Sequence, residues 1–406
     1  MESIGVIGSG PAGIMAALKA SRAGKVVHLF DTNNQIGRKL LVTGSGRCNI
    51  TNLNANPNSY YCLDSALLQP MFEQFSPVSF LKELRQYSIL TYSTTDGWCY
   101  PVSESAASVV EALTQALIKA KVEMHLNSTI TNIRIEKGGF NLSSSTHNFQ
   151  CNRLVIASGG KAYPALGSTG ALFSGIKNLG HSIRPLLPAL APVEANISTF
   201  HKLQGTRLDV LARLWNKDHL LGETSGNLIV TAWGFNGPAV MNLSHLVSLH
   251  AGEDLQLELD LLPHHKNDLK DLLDEHKHNS TPVIILLGAV LPHKMPKVIL
   301  QLSKLSPDIT CSQLDPQAAY KLWEKLTSIR FSVKGTRGFE FCQLKVGGVP
   351  LNEIHPASFQ SRVVPRLYLA GEVLDVVGPC GGFNLHFAFG SGFMAGVACV
   401  SDSTNS

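Results

Sequence analysis

Residues 2–31, ESIGVIGSGPAGIMAALKASRAGKVVHLFD, form a pattern that few folds accommodate. Residues 4–7 read as a buried strand, and Gly8, Gly10 and Gly13 follow at G-x-G-x-x-G spacing. An alanine-rich helical stretch covers residues 11–23, and a second apolar run over residues 26–30 ends at Asp31. Each part has a mechanical role in holding a dinucleotide. Gly8 allows a tight turn, Gly10 lets the backbone approach a pyrophosphate, and Gly13 lets the helix pack closely on the strand. The helix N-terminus turns N–H groups and the positive end of its dipole toward phosphate charge. Asp31 is placed to accept hydrogen bonds from the adenosine ribose. Glycines at this spacing are a weak signal alone; framed by strand, helix, strand and acid they are a strong one.

A chain of 406 residues allows two or three domains. Charged residues make up only 16%, against 44% hydrophobic residues and 35 glycines, which suits a largely buried sheet and a large cofactor. The eight cysteines form no C-x-x-C pair, which argues against a zinc or redox-disulfide motif and suits a reducing cytosol. No signal peptide is expected, and the apolar run at residues 283–291 is too short to span a bilayer. A cytoplasmic location without membrane contact follows as an expectation. The net charge of +4 permits an RNA partner without requiring one. No metal site is expected.

Amphipathic helices are predicted over residues 77–87 and 105–120, with Asp96-Gly97 as a hairpin turn between them. Residues 122–126, 130–135 and 139–142 alternate like an antiparallel meander. Texture changes at Pro185, Pro188 and Pro192, and short strand-like runs then give way to polar helical stretches. Dinucleotide-domain texture returns at VVPRLYLAGEVLDVVG, and a last helix is predicted over residues 382–398. The fold class is α/β: a Rossmann-like domain built from both chain ends, with an inserted β-barrel-like plus helical domain. The expected bounds are 1–192 and 341–406 for the first, 193–262 for the inserted β part and 263–340 for the helical part.

Three glycine-rich loops follow buried runs, but only residues 8–13 have dinucleotide spacing. One deep site completed by a C-terminal segment suits FAD better than NAD, because FAD needs further walls for ribitol and isoalloxazine. Glu372 or Asp375 would accept from ribitol hydroxyls. The start of the last helix, near residues 381–384, would aim its dipole at the flavin pyrimidine edge, where reduced flavin carries negative charge. Gly390, Gly392 and Gly396 imply that something passes close to that helix.

The chain resembles the HI0933-like flavoproteins, two-dinucleotide-type FAD enzymes of bacteria. The resemblance is carried by GRKLLVTGSGRCNITN, ASGGKAYPALGSTG, GFNGPAVMNLS, VGGVPLNEI and LYLAGEVLDVVGPCGGFNLHFAFGSGFMAG. It implies FAD contacts from Gly8, Gly10, Pro11, Ala12, Gly13, Asp31, Lys39, Gly46, Arg47, Cys48, Asn49, the Ile130 backbone, Gly371, Glu372, Asp375, Gly381, Gly382, Phe383 and Asn384. The sequence departs from the family at Trp98, which stands near the position of a frequent Gly-Arg pair, and at Ser158 and Lys345, both in place of threonine. Asp31 stands for the more frequent glutamate.

Three readings of the activity stay open. The first is a reductase in which transient NADH or NADPH reduces FAD, which then reduces an activated carbon–carbon double bond. Relatives are linked with dihydrouridine formation in ribosomal RNA and with reduction of unsaturated steroid acids. Hydride addition beta to a carbonyl needs a proton donor, and Cys380 and His386 are the candidates; a packing cysteine and a core histidine would look the same in sequence. An RNA substrate would need Arg207, Arg213, Lys217, Lys334 and Arg337 for phosphates, with Trp215 and Trp233 for stacking. The second reading is an oxidase of a small amine such as aminoacetone. The third is a non-catalytic FAD-binding assembly factor or sensor.

Overall fold

The computed structural model describes residues 2–144 and 147–401. They divide into two compact units, one running to Leu187 and resuming at Gln343, the other Pro188–Cys342.

The first unit is centred on a five-stranded sheet ordered Leu367–Leu369, Arg153–Ile156, Ser3–Ile7, Val26–Phe30 and Glu123–His125, parallel throughout. Its central strands are mostly apolar, interrupted by His28 and Arg153, as suits a parallel sheet buried on both faces. The opening helix Pro11–Arg22 has proline in its first turn and Lys19 and Arg22 in its last, each suited to that end of the helix dipole. The closing helix Phe383–Ala398 packs directly on it. A Cβ at Gly392 would stand 2.1 Å from the Ala12 carbonyl oxygen, and one at Gly396 2.6 Å from that of Ala16. The close neighbour implied by these glycines is thus the opening helix, whereas Gly390 faces Met71 and Phe75.

One strand expectation needs correcting. Residues 123–125 pair parallel with Val26–Phe30 as the sheet edge, and the antiparallel meander is Ile130–Glu136, Gly139–Ser144 and Asn148–Cys151. A half-exposed edge strand alternates in polarity like a meander strand, so periodicity does not separate them.

The second unit contains a closed six-stranded barrel in the order Val193–Ala195, Gly234–Asn236, His219–Val230, Arg207–Asn216, Leu255–Asp260, Ile329–Thr336. Phe200, Phe235 and Phe331 meet edge to face inside it. Helices Lys266–His276, Val283–Gly288, Met295–Leu302 and Pro316–Thr327 lie between its last two strands in sequence. The apolar run near residue 283 is therefore a short helix, burying Val283, Leu286 and Leu287. No helix among the described residues is long and apolar enough to cross a membrane.

Candidate active site

The glycine loop after the opening strand is set by contacts of the first unit, except at one position. Gly8 has φ +100°, its N–H donates to the Phe30 carbonyl (2.8 Å), and a Cβ there would stand 2.3 Å from the Ala157 carbonyl oxygen. A Cβ at Gly13 would stand 1.8 Å from that of Gly8. Both glycines are required for the loop to close. Gly10 is different: its φ is −75°, open to any residue, and a Cβ there would meet nothing within 4 Å. No protein contact explains glycine at this position, but a phosphate brought against the backbone does. Pro11, Ala12 and Gly13 continue directly into the helix.

Asp31 is more engaged than its sequence position suggests. Oδ2 accepts from Ser9 N–H (2.7 Å) and the Ser9 hydroxyl (2.6 Å), and Oδ1 from the backbone N–H (2.8 Å) and side-chain amide (2.9 Å) of Asn33. All four acceptor positions are filled. A ribose hydroxyl would therefore replace the Ser9 hydroxyl, which can rotate away.

In the loop after Asp31, Lys39 Nζ lies 2.7 Å from Glu372 Oε2. Gly46 has φ +87° with open space on its Cβ side, and the exposed Arg47 guanidinium covers the Tyr100 ring at 4.7 Å. Cys48 is fully buried, and burial pushes its thiol up to about 12. The Asn49 amide lies 3.1 Å and 3.2 Å from the Thr51 and Cys99 carbonyls, which its nitrogen satisfies as donor. The Cys48 N–H donates to the Thr43 carbonyl (3.0 Å), so the Cys48 backbone and the Asn49 side chain together hold the loop. Ile130 begins the meander and is buried.

Around Glu372 the charges concentrate. Its Oε1 is wholly buried with no hydrogen-bond partner, and a Cβ at Gly160 would stand 2.5 Å from it. Behind lies Lys345, fully buried, donating to the carbonyls of Leu374 (2.7 Å) and Gly347. Burial pulls the Lys345 ammonium down to about 8, against the opposing pull of Glu372 and Asp375. Asp375 accepts from the Gly347 N–H (2.7 Å) and from Arg184 (3.2 Å), so its carboxylate secures the Gly347 turn. Each oxygen of Asp375 already accepts one bond, whereas Glu372 has a whole buried oxygen without a partner. Lys345 was visible in sequence only as a departure from threonine; a lone cation inside an apolar run was the available sign of a buried charge.

The segment entering the closing helix is pinned by its own side chains. Asn384 Oδ1 accepts from the Gly378 N–H (2.7 Å), and its Nδ2 donates to the carbonyls of Gly378 (2.8 Å) and Pro379 (3.2 Å). Trp98 packs on Gly381, where a Cβ would stand 2.8 Å from the indole. Gly382 precedes the helix with φ +95°, and the helix has no side-chain cap. Its first turn, beginning at Phe383, so retains N–H groups for a ligand. Cys380 is partly exposed, and burial of its thiol pushes it up to about 12. His386 is fully buried, stacked on Phe72 with Phe75 and Phe80 around it, and its Nδ1 is 2.9 Å from the Thr51 hydroxyl. Burial lowers its imidazole to about 3, so it is neutral at pH 7.

The residues fit FAD on three counts: open space over Gly10, an orphaned buried oxygen on Glu372, and an uncapped helix start. In the second unit the cations proposed for RNA differ among themselves. Arg207, Lys217 and Lys334 are exposed, Arg213 is held by Glu223 and Glu258, and Arg337 covers the Trp233 ring. Trp215 is covered by Arg330.

Comparison with known proteins agrees with this geometry. The chain is 31% identical over 407 residues to the 3-dehydro-bile acid delta(4,6)-reductase of Clostridium scindens, covering 98% of this chain and 99% of that protein. It is 30% identical over 403 residues to the ribosomal RNA dihydrouridine synthase of Escherichia coli, covering 98% and 96%. A flavocytochrome c3 fumarate reductase structure shares the fold, with TM-score 0.50 and 16% identity over 98% of this chain and 78% of that one. The family described as HI0933-like protein Rossmann domain matches residues 2–398. The chain belongs to that HI0933-like family and is a FAD-dependent oxidoreductase.

Proposed function

We propose that the protein takes hydride from NADH or NADPH and adds it to a carbon–carbon double bond conjugated to a carbonyl. The observation that carries this reading is the placement of the Cys380 thiol on the glycine-rich loop leading into the closing helix. Conjugate reduction needs such a proton for the alpha carbon once hydride has reached the beta carbon. The two full-length relatives support it, since one is named for reducing steroid double bonds and the other for making dihydrouridine. Bound FAD would supply the hydride-carrying ring.

The chain's own groups then divide the work. The glycine loop at residues 8–13 and the opening helix receive the pyrophosphate, Asp31 the adenosine ribose, and Glu372 Oε1 a ribitol hydroxyl. Lys39 and Lys345 stabilise the Glu372 carboxylate from two sides. The first turn of the closing helix orients the ring through N–H groups. Cys380 Sγ holds the proton. His386 is a positioning residue: by bonding Thr51 it ties the first turn of the helix to the strand Thr51–Asn52.

The test is anaerobic mixing of the flavin-loaded protein with a nicotinamide and then an unsaturated carbonyl compound. NADH or NADPH should bleach the flavin, the acceptor should restore its colour, and the product should gain two hydrogens. Bleaching by aminoacetone and not by either nicotinamide would replace this reading with an amine oxidase. Bleaching by none would leave a non-catalytic flavin binder.

A further inference from the structure

Two histidines and a glutamate converge at the edge of the parallel sheet. The register of Val26–Phe30 with Glu123–His125 sets His28 opposite Glu123 and Phe30 opposite His125. His28 Nδ1 stands 3.1 Å from His125 Nε2 and 3.2 Å from Glu123 Oε2, and the three ligand atoms lie within 4.8 Å of one another. It is the only such His, Cys, Asp or Glu grouping among the described residues. A tetrahedral zinc ion with bonds of roughly 2.0–2.1 Å holds its ligand atoms about 3.3–3.4 Å apart, close to both distances.

Hydrogen bonding alone satisfies this arrangement poorly. His28 Nδ1 faces two acceptors, and one hydrogen on the shared position cannot serve both. If His125 Nε2 carries it, the lone pairs of His28 Nδ1 and Glu123 Oε2 face one another; if His28 Nδ1 carries it, two acceptors compete for one hydrogen. A cation in place of that hydrogen serves all three. The His125 ring is already oriented, with Phe30 and Phe149 each 4.8 Å from its centroid. His28 and His125 are half-buried and Glu123 is exposed, so one side is open to a completing water.

We propose that His28 Nδ1, His125 Nε2 and the Glu123 carboxylate bind a divalent transition cation of the zinc class, with water as fourth ligand. Such an ion would clamp the edge strand to its neighbour beside Asp31, whose N–H donates to the His125 carbonyl (3.1 Å). The inference is independent of the reaction proposed above.

The probes are Zn²⁺ by calorimetry on the untagged, flavin-loaded protein, and Co²⁺ by its visible ligand-field bands. One equivalent of Zn²⁺ should bind, raise the unfolding temperature, and be competed by Co²⁺ with a tetrahedral spectrum. Glu123→Gln and His28→Gln should each weaken Zn²⁺ binding at least about 10-fold while the flavin spectrum stays unchanged. Glu123 is exposed, so its variant folds even if a histidine variant does not. Absence of a one-equivalent isotherm, or unchanged affinity in Glu123→Gln, would overturn the site.

Discussion

Glu372 in the chain-end unit and Glu258 in the insert are both largely buried carboxylates, yet only one is complete. Glu258 meets Arg213 at 3.1 Å on one oxygen and Arg330 at 2.8 Å on the other. Glu372 meets Lys39 on one oxygen and nothing on the other. A buried acceptor without a partner costs free energy unless a ligand supplies one. In the insert, Glu258 joins barrel strands Arg207–Asn216, Leu255–Asp260 and Ile329–Thr336 through its two arginines. The chain-end unit keeps acceptor capacity at Glu372, and its opening loop carries Gly10, a glycine that no protein contact explains.

The comparison breaks most decisively at Gly10. A Cβ at Gly10 meets no protein atom within 4 Å and the backbone there suits any residue, so folding of Gly10→Val by circular dichroism should be unchanged. Its branched side chain would fill the phosphate space, and FAD affinity by equilibrium dialysis should fall at least ~100-fold, about 2.7 kcal/mol. Next in size is Glu258→Ala, which leaves Arg330 without its carboxylate and Arg213 with Glu223 alone. Both arginines are partly exposed, so urea unfolding should show a loss of only roughly 1–3 kcal/mol with no change in FAD affinity. Equal loss of flavin would erase the distinction between the units.

His386 sharpens the contrast through pH. Its folded-state value of about 3 lies below the usual ~6.5 of the unfolded chain, so between these the unfolded state binds the extra proton. Stability should therefore fall as pH drops from ~6.5 toward 3, by at most ~1.4 kcal/mol per pH unit from this group. Urea midpoints of wild type and His386→Leu compared at pH 7 and pH 4.5 should show a shallower acid loss in the variant. An identical loss would mean the imidazole is not shielded as described.

The dinucleotide loop was readable because its physics is local. Strand, glycines, helix and acid must follow one another within about 30 residues, and each residue type answers a short-range constraint. The same holds for the opening and closing helices, whose observed bounds differ from the expected ones by a residue. The edge strand at Glu123–His125 was misread because parallel pairing is decided by a partner nearly 100 residues away.

From the order of its residues, the chain settles that a dinucleotide domain opens it and that a glycine-rich segment returns near its end. Which polar groups are complete is another matter. Glu372 meets Lys39 across 333 residues, Thr51 meets His386 across 335, and Lys345 is enclosed beside both carboxylates it compensates. Burial and partnership are properties of assembled space. Folding alone turns a lysine in an apolar run into a titratable neighbour of Glu372, and a candidate acid–base histidine into an aromatic-shielded strut.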